Sequence, residues 1–208
     1  KIGLNFINES INKGNKDSLV YYIKMLIKGK LIPQNHKKVQ KLIESKLDKD
    51  DSLYSFLYGQ LYMKEKQYSK AEEYLKQSIN LGYSYAMYEY AELLRKGYCQ
   101  SKDQKENSYY YKKAIEKGNL NAIYKYGVIL NNKNEKEEGT RLIKLAVDKG
   151  FLKALYYYGI KLEEEKDDKN DDLLMNCFKK AANEGHVKSM NKYGFKLIDK
   201  LSKKEKKR

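Results

Sequence analysis

The 208 residues, 41% of them apolar, can bury a real core, and a single proline among many Lys, Glu, Leu and Ile residues favours helix throughout. No apolar run approaches the roughly 20 residues that span a bilayer, and two cysteines are too few for a disulfide framework, so neither a membrane-spanning helix nor a stapled secreted domain is expected. The formal net charge is +15, yet of 43 basic residues only Arg95, Arg141 and Arg208 are arginine, the side chain suited to forked recognition of phosphate and bases.

The chain opens, over residues 1–13, on a helical pattern that runs into Gly14, and from there it repeats. Gly14 is followed by Ser18 four positions on, Tyr22 at eight, Ile23 at nine and Leu26 at twelve. In the next copy Asp50 replaces the glycine and leads to Tyr54, Tyr58, Gly59 and Tyr62. Gly82 leads to Ala86, Tyr90, Ala91 and Leu94; Gly118 to Ala122, Tyr126, Gly127 and Leu130. Gly150 leads to Ala154, Tyr158, Gly159 and Leu162, and Gly185 to Ser189, Tyr193, Gly194 and Leu197. Tyrosine stands at offset eight in all six copies, and the anchors are 36, 32, 36, 32 and 35 residues apart, the range of helix-pair solenoids.

A second helix precedes each anchor. Ala114, Ala146 and Ala181 stand four residues before theirs, and Ile115, Val147 and Ala182 three before. Further back come Tyr110 and Tyr111, Leu142 and Ile143, and Cys177 with Phe178, all on one helical face. Each unit is therefore a helix A after the anchor and a helix B leading to the next. The pattern predicts an all-α, right-handed α-α superhelix of about six stacked pairs in one domain. A helix B over 1–13 is followed by units at about 14–49, 50–81, 82–117, 118–149, 150–184 and 185–208. Ser69 with Glu72, and Ser101 with Gln104, have the spacing of capping boxes at two B helices. Glycine at the anchor suits the left-handed residue that ends a helix. Gly29 or Gly97 follows helix A in the 36-residue units, and the 32-residue units, lacking it, are expected to turn more tightly.

Offset nine carries Gly59, Ala91, Gly127, Gly159 and Gly194, inside helix A. A mid-helix glycine costs about 1 kcal/mol relative to alanine, which a close crossing with helix B would offset. Ala114 and Ala146 are the expected facing surface, with Ala181 in the same register. Leucine at Gly59, Gly127, Gly159 or Gly194 is then expected to overpack the crossing by about 1–3 kcal/mol. The offset-eight tyrosines read as core residues whose hydroxyls reach a polar edge.

The run Ala-x3-Tyr-Gly-x2-Leu, then a loop, then a B helix ending Lys-Ala-x-x-x-Gly, resembles the Sel-one-like repeat (SLR), a relative of the tetratricopeptide repeat. Ala86 to Gly97, Ala114 to Leu130, Ala146 to Leu162 and Ala181 to Leu197 carry the likeness. The family commonly has leucine where this chain has tyrosine, and two glycines in its longer loop. The resemblance implies a scaffold or adaptor that gathers proteins on a curved helical surface, in signalling or membrane-associated quality control.

The concave wall of such a stack is lined chiefly by helix A. The residues at offset six, Phe56, Tyr88, Tyr124 and Tyr156, either anchor a partner there or pack between neighbouring A helices. Lys24, Gln60, Glu92, Arg95, Lys153 and Lys188 are the neighbouring variable positions. His36 and His186 are isolated, and no phosphate-cradling loop, zinc-protease motif or serine elbow is present, so no enzyme, metal, cofactor or small-molecule substrate is expected. The expected function is a non-enzymatic protein–protein interaction scaffold or adaptor that binds a peptide or domain on the helix-A surface. The alternative is an RNA-, ribonucleoprotein- or polyanion-associated protein that uses its lysines. Abundant Lys, Asn, Tyr and Ile without Trp is also what an AT-rich coding sequence produces, so composition and function both remain sources of the charge. The expected location is intracellular, in the cytoplasm, or in the endoplasmic reticulum lumen if a signal peptide lies upstream of Lys1. Alanine at Tyr124 should weaken partner binding in a pull-down and leave the thermal melt largely intact if the residue is an anchor. Loss of folding without selective loss of binding would assign it to packing.

Overall fold

A computed structural model describes residues 2–29, 31–99, 104–165 and 168–205 and holds twelve α-helices and no strand among them. Short polar side chains start several of these helices by accepting a free amide of the first turn. Asn15 takes the Ser18 N–H at 2.8 Å, Asn35 that of Lys38 at 2.9 Å, Asp51 that of Leu53 at 2.8 Å and Asn119 that of Ala122 at 3.1 Å.

The chain packs as two compact units, Lys1–Lys117 and Gly118–Arg208. The first holds α1 (Ile2–Asn12), α2 (Lys16–Lys28), α3 (His36–Lys46), α4 (Ser52–Lys64), α5 (Tyr68–Asn80), α6 (Ser84–Arg95) and α7 (Gln104–Glu116). Within it α4 lies against α5 and α6 against α7, with α2 touching α1, α3 and α4, over one continuous apolar core from Ile11 to Cys99. The second unit holds α8 (Leu120–Asn132), α9 (Lys136–Asp148), α10 (Leu152–Glu165), α11 (Asp171–Asn183) and α12 (Val187–Glu205). There α8 pairs with α9 and α10 with α11, each B helix also touching the following A helix.

Glycine at the anchors has a backbone reason. Gly150 has φ +72°, its N–H donates to Val147 O at 2.9 Å, and the next N–H, of Phe151, reaches back to Ala146 O at 2.9 Å. That closure satisfies the last carbonyls of the B helix and needs a left-handed residue at its centre. The 32-residue units turn after helix A through the same closure without glycine. Lys66 (φ 61°) and Asn134 (φ 66°) take the left-handed position, and the following amides of Gln67 and Glu135 bond to Tyr62 O at 2.9 Å and Leu130 O at 3.0 Å. This tight turn starts α5 at Tyr68 with Gln67 at its cap, so Ser69 lies inside the first turn and is not the cap that its spacing with Glu72 suggested. Ser101 lies outside the described residues.

The offset-nine glycines of three A helices do face their B helices, but the alanines expected opposite them are elsewhere. A Cβ on Gly59 would lie 2.9 Å from Leu75 Cδ2, and one on Gly159 would lie 2.6 Å from the Phe178 ring. At Gly127 it would meet the Gly139 carbonyl oxygen at 2.9 Å and Ile143 Cγ1 at 3.0 Å, while one on Gly139 would meet Gly127 O at 2.7 Å. Leu75, Ile143 and Phe178 all stand seven residues before the next anchor, and Gly139 eleven before. Asn107, also eleven before its anchor, donates its side-chain amide to Ala91 O at 2.5 Å.

Ala114, Ala146 and Ala181 are fully buried, but four residues before the anchor they belong at the other end of the pair. Ser78, in the same register, shows where: its hydroxyl donates to Ser52 O at 2.7 Å, at the start of α4. Gly194 corrects a second expectation, because no heavy atom lies within 4 Å of its added Cβ. Only α11 packs substantially on α12 among the described helices, and it does not cover that face.

The offset-eight tyrosines are core residues. Tyr22, Tyr58, Tyr90 and Tyr126 are buried, and Tyr158 and Tyr193 half-buried. Three hydroxyls reach polar edges: Lys38 Nζ donates to Tyr22 at 2.6 Å, Tyr58 donates to Glu44 at 2.9 Å, and the Tyr90 hydroxyl sits 3.1 Å from Glu72 and 3.2 Å from Glu106.

Gly127→Leu, facing backbone, is expected to cost about 3 kcal/mol. Gly194→Leu, facing open space in a helix, is expected to be neutral or to stabilise by up to about 0.8 kcal/mol. Denaturant titrations followed by circular dichroism separate the two, and equal losses would show that the close approach is not what the glycine serves.

Candidate functional site

Offsets ten, thirteen and fourteen share one side of helix A, because three and four residues make about one helical turn. In the first unit this side forms a cleft of about 260 Å³. Lys24 and Gln60 enter it from offset ten, Ile27 and Met63 from thirteen, and Lys28 and Lys64 from fourteen, while α6 adds Glu89. Its floor is apolar, with Ile27 buried and Met63 half-buried, and its rim carries three ammonium groups. The second unit has its own groove, of about 490 Å³, between α10 and α12, where Tyr156 and the exposed Phe195 face Lys188, Lys192 and Lys196. There Glu163 holds Lys192 at 2.7 Å and Lys196 at 3.3 Å. Burial works to raise the Glu163 pKa, but these two lysines outweigh it and keep the carboxyl below its ordinary range.

Lys24 and Gln60 therefore meet in one cleft, and Tyr156 and Lys188 in one groove. Lys153 is exposed and lines neither. Phe56 is not a surface residue: it is 1% exposed, edge-on to Tyr83 at 5.0 Å and beneath the Lys24 ammonium, which lies 6.0 Å from the ring centre. Tyr124 contacts Phe151 at 5.8 Å and Tyr156 contacts His186 at 5.2 Å. Tyr83, Phe151 and His186 each directly follow an anchor glycine, so offset six packs on the start of the next A helix. That accounts for all of Phe56, while Tyr124 and Tyr156 keep part of their surface open, as does Tyr88, edge-on to Tyr111 at 6.3 Å.

Glu92 also departs from expectation, for it is 7% exposed and committed internally. It receives two Arg95 hydrogen bonds, at 3.1 and 2.9 Å, and one from the hydroxyl of the fully buried Tyr111. A buried carboxylate needs such partners, and Arg95, although exposed, is tied to that duty.

The cleft is electrostatically unsettled. Burial pulls the Lys24 pKa down and Lys28 adds to the effect, while Glu89 only partly opposes them. Burial pushes the Glu89 carboxyl up, nearby Glu92 adds to it, and Lys96, Gln60 and Lys24 resist. Among the described residues no carboxylate comes within 4 Å of the ammonium of Lys24, Lys28 or Lys64. Ile27, Lys28, Met63, Lys64 and Glu89 were not candidates from the sequence. Continuing the offset comparison past ten would have found four of them.

Elsewhere the chemistry is quiet. Cys99 and Cys177 are buried free thiols, Cys99 pushed up to about 12 by burial and the nearby Glu72, and Cys177 raised by burial. His36 Nδ1 pairs with Glu65 at 2.9 Å, and His186 Nδ1 lies 2.8 Å from the buried Ser189 hydroxyl. Among the described residues no three His, Cys, Asp or Glu side chains are grouped to hold a metal ion, and no helix is long and apolar enough to cross a membrane.

The geometry defines a class: consecutive A–B helix pairs of the SLR and tetratricopeptide kind. The family described as plant tetratrico peptide repeats matches residues 95–175. Two solved structures share the fold at low identity. One is a protective antigen of uropathogenic Escherichia coli strains with an SLR fold, 18% identical, with a TM-score of 0.66 over 94% of this chain. This chain spans 44% of that protein's length. The other is a Sel1 repeat protein from Oxalobacter formigenes, 17% identical, with a TM-score of 0.64 over 91% of this chain and 81% of its own. No curated protein matches the sequence.

A carboxyl whose folded-state pKa is raised penalises the fold above that pKa, and the penalty disappears as pH falls through it to the unfolded value. Glu89→Gln is therefore expected to raise the thermal midpoint near pH 7, with the gain gone by about pH 4, below the ordinary glutamate value of 4.5. A gain that persists unchanged into acid would assign the effect to packing.

Proposed function

We propose that this chain is a non-enzymatic protein–protein interaction scaffold that takes a segment of a partner protein along its A-helix faces. Helix-pair repeats present extended surfaces of this kind, and proteins of this fold generally mediate protein–protein interaction. The observation that carries the proposal is that each unit has an open recess on the same side of its A helices, each with apolar or aromatic groups beside charged ones. Such a mixture suits a side chain and the polar backbone around it better than a reaction. In the first unit the half-open Tyr88, and in the second the half-open Tyr124 and the exposed Lys153, are further contact positions in this proposal, beside Tyr156 and Lys188 in the groove. An intracellular location is part of the same proposal.

Site-specific photocrosslinking in cells is the test. A photoreactive amino acid at Gln60, Tyr124 or Lys188 is expected to give discrete protein adducts, whereas one at the exposed B-helix positions Lys41, Lys144 or Lys179 is expected to give few. Equal adducts from both sets, or adducts that are chiefly RNA, would overturn the proposal, the latter in favour of a polyanion-binding role.

A further inference from the structure

The cleft of the first unit can be read more closely, on the basis of the scaffold proposal. Its volume of about 260 Å³ has room for one or two side chains. Ile27 and Met63 make a floor that favours an apolar group. The rim concentrates positive charge, with three lysines to one glutamate among its seven lining residues. Some lysines elsewhere are held by a carboxylate, as where Lys16 reaches Asp51 at 2.7 Å, Lys76 reaches Glu72 at 2.6 Å and Lys161 reaches Glu164 at 2.6 Å. Lys24, Lys28 and Lys64 have no such partner although they surround a single opening. Lys24 is moreover half-buried, over the Phe56 ring. A partly desolvated ammonium beside a second one is destabilised unless an anion arrives.

We infer that this cleft is the docking point for an acidic segment of a partner protein, one that inserts an apolar side chain onto Ile27 and Met63 and sets flanking carboxylates against Lys24, Lys28 and Lys64. Charge complementarity selects the acidic partner, and the apolar floor selects a peptide over a nucleic-acid backbone, whose phosphates would leave it unfilled. Glu89 is the one carboxylate in the lining. It repels the incoming acids and thereby limits how many negative groups can enter on the α6 side.

The probe is a fluorescein-labelled peptide of about a dozen residues in which Leu alternates with paired Glu, titrated with the full chain and followed by anisotropy. Lys28→Gln with Lys64→Gln, both at exposed positions, is expected to weaken binding about tenfold or more. Lys37→Gln with Lys41→Gln on α3 removes the same charge away from the lining and is expected to change binding less than about twofold. Met63→Ser should weaken the Leu-containing peptide but not an all-Glu one, and Glu89→Gln should tighten both. Equal losses from the two lysine pairs, unchanged binding when every Glu of the peptide becomes Gln, or a single-stranded oligonucleotide that binds with the same dependence on Lys28 and Lys64 would each overturn the inference. If crosslinks form along the A-helix faces but are indifferent to Lys28 and Lys64, the scaffold stands and this site falls.

Discussion

Two helices can pack at backbone distance only where neither carries bulk at the crossing, and much of this chain's repeat pattern follows from that limit. At Gly127 and Gly139 the requirement is mutual, since a Cβ on either would collide with the other's carbonyl. At Gly159 it is one-sided: the missing side chain is space that the Phe178 ring already occupies. Gly59 makes the same concession to Leu75. The A helix gives up volume at one register position, and its B helix answers each time in a different way.

The candidate surface derives from the same register. Once offset nine is turned toward helix B and offset eight toward the core, offsets ten, thirteen and fourteen are left on the side that opens into the cleft. Lys24, Gln60, Ile27, Met63, Lys28 and Lys64 share a recess because the repeat brings equivalent positions of α2 and α4 together. The unit linkers support this register through their closures at left-handed residues, which keep each pair's phase even when the linker shortens by four residues and the glycine is replaced by Lys66 or Asn134.

The helix pairs, the left-handed anchors and the burial of the offset-eight tyrosines were legible in the sequence, because each is a local property repeated at a fixed interval. What the sequence hid was which residue meets which. Ala114, Ala146 and Ala181 have the right size to face a glycine, but size says nothing of position along the helix pair, and they are consumed at the opposite end. Glu92 reads as a variable surface residue because its partners, Arg95 and Tyr111, lie one turn and one helix away. Phe56 shares its register with the half-open Tyr124 and Tyr156, and each of the three touches two rings. Only Phe56 also has a lysine ammonium, that of Lys24, over its ring, a contact from another helix that its own register does not reveal. Ser69 was misplaced by the two-residue earlier start of α5, a boundary fixed by the turn rather than by the serine.

The matching of Gly159 to Phe178 bears on how such an array can be lengthened or recombined. A duplication whose breakpoints fall at the anchor glycines carries lock and key together and joins the old array without a clash. One whose breakpoints fall between helix A and helix B gives the Phe178 ring a recess only where the new A helix also carries glycine at offset nine, as at Gly59, Gly127 or Gly194, and none where it carries Ala91. The heritable module is therefore the A–B pair, and its natural seams are the left-handed glycines.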